Sequence, residues 1–555
     1  MKIYTTHLTA RMIAACCRSR GVEHAVFSPG SRSAPLVFAF EEIDQIQKTI
    51  IPDERSAAYS ALGIALSTGK PVAIITTSGT AVLNSAPAIC EAFYLGVPLI
   101  MITADRPHGS VFSGENQTIV QEEIYSSFVK KELHIPSEST PKNTLISKIC
   151  QCIDYAIIQN GPVHINIALD EPLYATTQNP KPIIIPKKKS TAHKENIQSI
   201  NRLEKIIRLY PKRIWFDGLS LIPYQLKSMN HSVKRNPLFV ELKEPLSNTG
   251  SPGLIPADEL FHLLMHNPDP ELHPDLLITR EGQILSKKFR LYFKKFPPKL
   301  HVHISESPAH WYRFNCPFEN ILFPRNKKMT LRIKNSDGDY FIKLWQQKSR
   351  EILSYRENLS KTAPWSEWKM ITHLAARVPL GSVIHFGNSG AIRYATLHQW
   401  PENVHIHANR GTSGIDGSLS TVCGAASVSD KKHICVIGDI SFRYDNNALW
   451  REKIPQNLKI IVVNNGGGNI FRMIPGPSKS GLLEKYFLTD YPFDLKKWTE
   501  SIGIPYSLCK TEKSWIKWLQ NELNKPGCSV VEVRVDGEKS AALFSNYYQH
   551  LNFDT

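Results

Sequence analysis

At 555 residues the chain exceeds what one hydrophobic core serves, so two to four domains of ordinary size are expected. The composition, 42% hydrophobic and 21% charged, is that of an ordinary water-soluble globular protein, and no apolar run reaches the roughly 18–20 residues of a membrane span. A net charge of +16 would suit nucleic acid. The Lys and Arg are spread along the chain, however, and the densest cluster, Lys187-Lys188-Lys189, sits in a Pro-rich connector. No nucleic-acid partner is expected, and the basic balance favours small polyanionic substrates by steering.

At the N-terminus, Lys2 and Arg11 accompany only a short apolar patch at 12–17, with no cleavage site, so no signal peptide is expected. The ten cysteines, among them Cys16-Cys17 and Cys150-Gln151-Cys152, show no zinc-ligand pairing and read as reduced thiols of a cytoplasmic protein.

Residues 1 to about 178 alternate strand and helix. Ala25-Val26-Phe27 runs into the turn Ser28-Pro29-Gly30-Ser31-Arg32-Ser33. A small-residue helix follows at 57–68, then an apolar strand at 72–76 ending in Thr77-Ser78-Gly79-Thr80. Residues 81–94 read as helix, 99–103 as a strand closed by Ala104-Asp105-Arg106-Pro107, and 161–168 as a further strand. Alternation at this spacing implies a doubly wound parallel sheet. The run from Gly63 to Gly69-Lys70 superficially resembles a phosphate loop. Five residues intervene where four are required, Pro71 stands in place of Ser or Thr, and the run lies on the helix side, so it is rejected.

Residues 179–195 are rich in Pro and Lys and read as a linker. The block that follows is less patterned, with strand candidates at 213–216, 238–241, 276–279 and 300–304. His301 and His303 alternate along the last of these and read as structural histidines. From Pro364 the alternation resumes, with strands at 383–386, 404–407, 434–437, 460–463 and 529–533. The expected class is α/β, with three doubly wound αβ domains and mainly parallel sheets. Their bounds are 1–180, a linker at 181–195, a central domain at 196–350, and 351–555.

The chemistry concentrates late in the chain. Ile437-Gly438-Asp439-Ile440-Ser441-Phe442 and Ile460-Ile461-Val462-Val463-Asn464-Asn465-Gly466-Gly467-Gly468 are apolar runs that each end in a small turn bearing oxygen ligands. The 24 residues between Asp439 and Asn464 suffice for a crossover joining parallel strands. Asp439 and the Asn464-Asn465 pair would then meet at the carboxyl edge of one sheet, where open α/β sheets bind ligands. One carboxylate, one amide oxygen and a main-chain carbonyl suit Mg²⁺ bridging to a diphosphate. The alternative is two strand–helix turns with ordinary caps. Gly-Asp followed some two dozen residues later by Asn-Asn resembles the thiamine diphosphate motif. That cofactor also needs a carboxyl group at its pyrimidine ring, for which Glu54 in Pro52-Asp53-Glu54-Arg55 is the candidate. Taken alone, a glutamate at a helix start more commonly compensates charge there.

Together the words resemble one family, the 2-succinyl-5-enolpyruvyl-6-hydroxy-3-cyclohexene-1-carboxylate synthases (MenD) of menaquinone biosynthesis. They are Ser28–Ser33, Asp53-Glu54-Arg55-Ser56-Ala57, Thr77-Ser78-Gly79-Thr80-Ala81, Thr103–Pro107, Gly114-Glu115-Asn116-Gln117 and Ser286-Lys287-Lys288. Gly387-Asn388-Ser389 with Ile392-Arg393, the stretch from Asn409-Arg410-Gly411 to Ile415-Asp416-Gly417, Gly438–Phe442 and Asn464-Asn465 with Ile470-Phe471 complete the series, in the family's order. The resemblance implies a thiamine diphosphate-binding fold, with 1–180 the pyrimidine-binding and 351–555 the diphosphate-binding domain. It implies decarboxylation of 2-oxoglutarate and 1,4-addition of the succinyl carbanion to isochorismate. Glu54 resembles the glutamate that activates the pyrimidine ring, and Ile415 the apolar residue beneath the bent cofactor. Asp439, Asn465 and the Gly467 carbonyl resemble the ligands of Mg²⁺ or Mn²⁺, and Gly438, Ile440, Ser441, Ile470 and Phe471 fall in the same cofactor-binding words. Ser389, Arg393 and Arg410 resemble the group on the carboxylate retained from 2-oxoglutarate. Ser31, Arg32, Arg106, Asn116, Gln117 and Lys287 resemble the isochorismate side. A homodimer or homotetramer with active sites between subunits is implied. Two departures from the family pattern are Glu115, where a small residue is usual, and Gly390-Ala391, where a bulkier pair is expected. Rival readings are another thiamine enzyme, such as an acetohydroxyacid synthase, and a catalytically silent relative. The first lacks the Ser28–Ser33 and Asn409–Gly417 words. The second is opposed by Glu54, Asp439 and Asn465.

Overall fold

The computed structural model describes residues 4–137, 141–180, 182–185, 196–217, 238–240, 256–280, 284–305, 313–323, 339–401 and 403–551. Val72–Thr76 and Leu99–Asp105 are buried along their whole length, as continuous apolar strands are when helices cover both faces of a parallel sheet. They form the centre of a six-stranded sheet. Its order across is Gln47–Ile50, His24–Phe27, Val72–Thr76, Leu99–Asp105, Val163–Ala168, Glu132–Ile135, with all neighbours parallel.

A second six-stranded sheet runs His405–His407, Val383–Phe386, His433–Gly438, Leu458–Asn464, Ser529–Arg534, Tyr506–Cys509. Numbered along the chain within each sheet, both follow the order 2-1-3-4-6-5. A five-stranded parallel sheet runs Leu238–Val240, Arg213–Asp217, Leu276–Arg280, Leu300–Ser305, Phe318–Leu322, in the order 2-1-3-4-5. All three therefore reverse direction between their first and third strands, the switch point at which such sheets bind ligands. His301 and His303 are buried and share the Thr279 hydroxyl at 2.8 Å each, and burial pushes them down to about 3 and about 4.

The chain divides into two compact units. One comprises Met1–Thr191, Asn409–Asp430 and Ser441–Leu458; the other comprises Ala192–Ala408, Lys431–Ile440 and Lys459–Thr555. In the first unit the helices Leu8–Ser19, Ala34–Glu41 and Lys142–Ile158 pack Ile13, Leu36, Phe40 and Ile149 against Phe27, Ile75 and Ile102 of the sheet. Also in this unit, the helices Glu54–Thr68 and Ser418–Ser427 cross at close range through glycine. A Cβ on Gly63 would lie 1.9 Å from the Thr421 carbonyl oxygen, and one on Gly424 would lie 2.0 Å from that of Ser60. The second unit is filled by a core that includes Trp345, Trp368, Tyr394, Ile434, Ile461, Trp515 and Val531.

Several elements differ from the sequence reading. Residues 81–94 form two helices, Thr80–Asn84 and Ala86–Leu95, because Pro87 lacks the N–H and crowds the carbonyl that a continuous helix would use. Strands Tyr4–Thr5, Gln47–Ile50, Glu132–Ile135, Thr176–Thr177, Phe318–Leu322 and Tyr506–Cys509 had no counterpart in that reading. The expected strand at 238–241 is Leu238–Val240, with residue 241 outside the described residues. Among the described residues, no helix is long and apolar enough to cross a membrane.

Candidate active site

In the second unit, His433–Gly438 delivers Asp439 at the start of a short helix, and the adjacent strand Leu458–Asn464 runs into the glycine turn. Asp439 ties the two turns together. Its Oδ1 accepts from Ile440 N at 2.9 Å and its Oδ2 from Gly467 N at 2.9 Å. Gly467 is obligatory on two counts: its φ is +98°, and a Cβ there would lie 2.1 Å from the Leu488 carbonyl oxygen. Asn465 donates its amide N–H to Glu367 Oε1 at 2.8 Å, and Asn469 donates to the same atom at 3.0 Å. The Oδ1 atoms of Asn465 and Asn469 are buried and accept no hydrogen bond among the described residues. A buried amide oxygen left over beside a carboxylate and a glycine turn is what a hard cation with oxygen preference would use. The donor set fits a magnesium-type ion.

Glu367 was missed from sequence. Its only local signal is Ser366 before it, which caps the helix Glu367–Ala375 by accepting from Lys369 N. The side chain is 3% exposed. Burial pushes its carboxyl up to about 7, the charge on Asp439 adds to this, and the two asparagine donors oppose it.

The strand Val383–Phe386 lies beside His433–Gly438 and ends at the turn bearing Ser389, whose φ is +74°. The helix Gly390–Thr396 then presents Arg393 exposed. Ile470 and Phe471 open the helix Ile470–Met473 after the glycine turn, with the Phe471 ring 5.3 Å from that of Phe487. Gly438 and Ile440 flank Asp439 and are half-buried. Lys287 is exposed at the first position of the helix Lys287–Lys295. Its neighbour Lys288 is the one turned inward, 3.7 Å from Asp258 and over the Tyr548 ring. Burial pushes the Lys288 ammonium down to about 8; Asp258 and Glu259 oppose this and Arg393 adds to it.

In the first unit, Glu54 is the first residue of the helix Glu54–Thr68, capped by Asp53, which accepts from Arg55 N and Ser56 N. Glu54 Oε2 accepts from Asn84 at 3.2 Å. Ser31 is exposed, whereas Arg32 is buried, donating to the Leu169 carbonyl at 3.0 Å and lying 3.4 Å from the exposed Glu171 carboxylate. Arg106 pairs with Glu115 at 2.6 Å and donates to the Asn116 carbonyl at 3.0 Å. The extra acid flagged in the sequence thus sits on one of the expected substrate arginines. Asn116 and Gln117 are exposed, and Gln117 adopts φ +56°.

Arg410, Ile415 and Ser441 also belong to this unit. The loop that carries Arg410 and Ile415 is pinned at both ends. Glu91 accepts from Gly411 N at 2.7 Å, Thr412 N at 2.6 Å and the Thr412 hydroxyl at 2.7 Å. Tyr59 donates to Asp416 at 2.7 Å, and Gly417, at φ +73°, leaves room for the Tyr59 ring. Burial raises the Glu91 carboxyl above its usual range, opposed by those three donors. Between the pins Ile415 is exposed, its carbonyl accepting from the buried Ser441 hydroxyl at 2.7 Å. Glu91 was also missed, since nothing local distinguishes it from a surface helix acid.

Residues 8–125 match the family described as thiamine pyrophosphate enzyme, N-terminal TPP binding domain, and residues 387–533 match the corresponding C-terminal TPP binding domain. Curated proteins named 2-succinyl-5-enolpyruvyl-6-hydroxy-3-cyclohexene-1-carboxylate synthase align over nearly all of the chain. The one from Flavobacterium johnsoniae is 34% identical over 99% of this chain and 100% of its own length. That from Bacteroides thetaiotaomicron is 32% identical with the same coverage, and that from Desulfotalea psychrophila is 33% identical over 89% of this chain and 92% of its own. With full-length relatives of one name and both thiamine modules in place, the chain belongs to the 2-succinyl-5-enolpyruvyl-6-hydroxy-3-cyclohexene-1-carboxylate synthase family, thiamine diphosphate-dependent enzymes of menaquinone biosynthesis.

Proposed function

We propose that this protein decarboxylates 2-oxoglutarate and adds the resulting succinyl carbanion to isochorismate in a 1,4-addition. The observation that carries the reading is the paired turn at the carboxyl ends of the adjacent strands His433–Gly438 and Leu458–Asn464, where Asp439 holds Gly467 and the Asn465 amide oxygen is left buried without a donor among the described residues. Asp439, Asn465 and the Gly467 carbonyl would hold Mg²⁺ or Mn²⁺ and through it the cofactor's diphosphate. Gly438, Ile440, Ser441, Ile470 and Phe471 would line the cofactor, and Ile415 would support its bend. Bound thiamine diphosphate supplies the electron sink for decarboxylation and carbon–carbon bond formation.

The protein's own part is to bind, orient and stabilise charge. Glu54, presented at a helix start, would hydrogen-bond the pyrimidine ring. Both substrates are dianions, which suits arginine forks that stay charged and bind carboxylates bidentately. Ser389, Arg393 and Arg410 would take the carboxylate retained from 2-oxoglutarate. Ser31, Arg32, Arg106, Asn116, Gln117 and Lys287 would face isochorismate. The domain division that goes with this is 1–180 for the pyrimidine, 196–350 central, and 351–555 for the diphosphate, after a linker at 181–195. The enzyme would work in the cytoplasm as a homodimer or homotetramer with active sites between subunits.

The test is carbon dioxide release from 2-oxoglutarate by the purified protein with thiamine diphosphate and Mg²⁺, with and without isochorismate, together with identification of the product. The expected product is an adduct of both substrates. Carbon dioxide with succinic semialdehyde alone would place the chain among simple 2-oxoacid decarboxylases.

A further inference from the structure

Asn465 can serve as an oxygen ligand only if its amide is turned the right way, and a lone amide at the end of a strand has no preference of its own. The structure supplies one. Glu367 Oε1 lies within 2.8 Å of the Asn465 amide nitrogen and within 3.0 Å of that of Asn469. A carboxylate oxygen accepting two amide donors cannot be satisfied by either amide oxygen, so both side chains are locked nitrogen-inward, and their oxygens are the atoms left without a donor among the described residues.

The acid is itself fixed. It is 3% exposed, and its main-chain N–H donates to the Ser540 hydroxyl at 3.1 Å. Gly390 closes the other side, where a Cβ would stand 3.3 Å from Glu367 Oε2. Burying a carboxylate close to Asp439 is costly for stability, and a packing role would be filled more cheaply by an apolar residue. We propose that Glu367 is a positioning residue of the metal site, orienting the Asn465 amide so that its oxygen faces the cation. The inference rests on the reading of Asn465 as a metal ligand.

The test is titration of the apoprotein with Mn²⁺ in the presence of thiamine diphosphate, followed by electron paramagnetic resonance of free Mn²⁺, so that no turnover is needed. In Glu367→Gln, whose amide can meet Asn465 in either orientation, Mn²⁺ affinity is expected to fall about 10- to 100-fold, the usual effect of removing a group that orients a ligand. The double variant Glu367→Gln/Asn465→Ala is expected to bind no more weakly than Asn465→Ala alone, because Glu367 acts through Asn465. Unchanged affinity in Glu367→Gln, or a loss that adds fully to that of Asn465→Ala, would overturn the positioning role. If Glu367→Gln does not fold, Glu367→Asp keeps the charge but withdraws the carboxylate by one methylene, and the same outcomes decide. Asp439→Ala and Asn465→Ala test the parent reading separately: wild-type Mn²⁺ affinity in both would remove the metal site, and the inference with it.

Discussion

Two arginines distinguish the expected substrate pockets at the level of single side chains. Arg393 stands exposed on the helix that follows Ser389 in the second unit, whereas Arg32 is buried within the Ser28–Ser33 turn in the first. If they hold different substrates, mutation separates the half-reactions. Arg393→Ala is expected to slow carbon dioxide release from 2-oxoglutarate before isochorismate is added. Arg32→Ala is expected to leave that release intact and slow only the consumption of isochorismate. Losing a charge-assisted contact to a carboxylate costs about 2–5 kcal/mol, or on the order of 30- to 5,000-fold in rate, well outside assay scatter. Single-turnover kinetics with the substrates added in sequence would read both. A block of the first step by Arg32→Ala as severe as that by Arg393→Ala would refute the division. The residues named from sequence were those whose chemistry is written locally, in Gly-Asp, Asn-Asn and the Arg-bearing turns. Glu367 and Glu91 escaped because their meaning lies in partners 98 and 320 residues away, and a lone glutamate on a helix carries no sign of that.

Between elements, the glycine run rejected as a phosphate loop has a structural purpose. Gly63 and Gly424 let the helices Glu54–Thr68 and Ser418–Ser427 approach until main chain meets main chain. Helix propensity alone would make Gly63→Ala stabilising by about 1 kcal/mol. Geometry predicts the opposite, because a Cβ 1.9 Å from the Thr421 carbonyl oxygen cannot be relieved by a rotamer change. The expected cost of Gly63→Ala or Gly424→Ala lies at or above the upper end of the about 1–3 kcal/mol typical of overpacking. Gly109→Ala, where a Cβ meets nothing within 4 Å, serves as the control and is expected to change little. Urea denaturation midpoints would decide, and equal midpoints for Gly63→Ala and the control would contradict the close crossing. Central strands were legible because they are continuous apolar runs, buried on both faces. Six escaped: Tyr4–Thr5 and Thr176–Thr177, which pair only with each other, and Gln47–Ile50, Glu132–Ile135, Phe318–Leu322 and Tyr506–Cys509, which all lie at sheet edges. Edge strands need no apolar face on their outer side, so polar residues such as Lys48, Glu132, Glu319 and Ser507 dilute the pattern.

At the scale of the whole molecule, strand–helix alternation revealed two similar αβ halves around a third, while their shared 2-1-3-4-6-5 order depends on long-range pairing that no local pattern encodes. That kinship bears on how the assembly works. Glu54 belongs to the first unit and Asp439 to the second, and the proposed dimer would complete each site with Glu54 of one subunit and Asp439 of the partner subunit. The arrangement makes a prediction that single variants cannot. Glu54→Gln and Asp439→Ala are each expected to be inactive as homo-oligomers, the first lacking ring activation and the second the metal. Co-expressed with distinct tags, the two chains pair at random, and half of the dimers are mixed. Every mixed dimer contains one site carrying both substitutions and one carrying neither. The mixture is therefore expected to recover about a quarter of wild-type activity per site, and mixed dimers isolated through both tags about half. A homotetramer built as a pair of such dimers gives the same quarter in the mixture and about two-sevenths in the doubly tagged fraction. If each chain instead built its site alone, every site would carry one defect and no activity would return, however the chains assorted. Product formation by the doubly tagged fraction, set against each homo-oligomer at equal concentration, separates the two architectures.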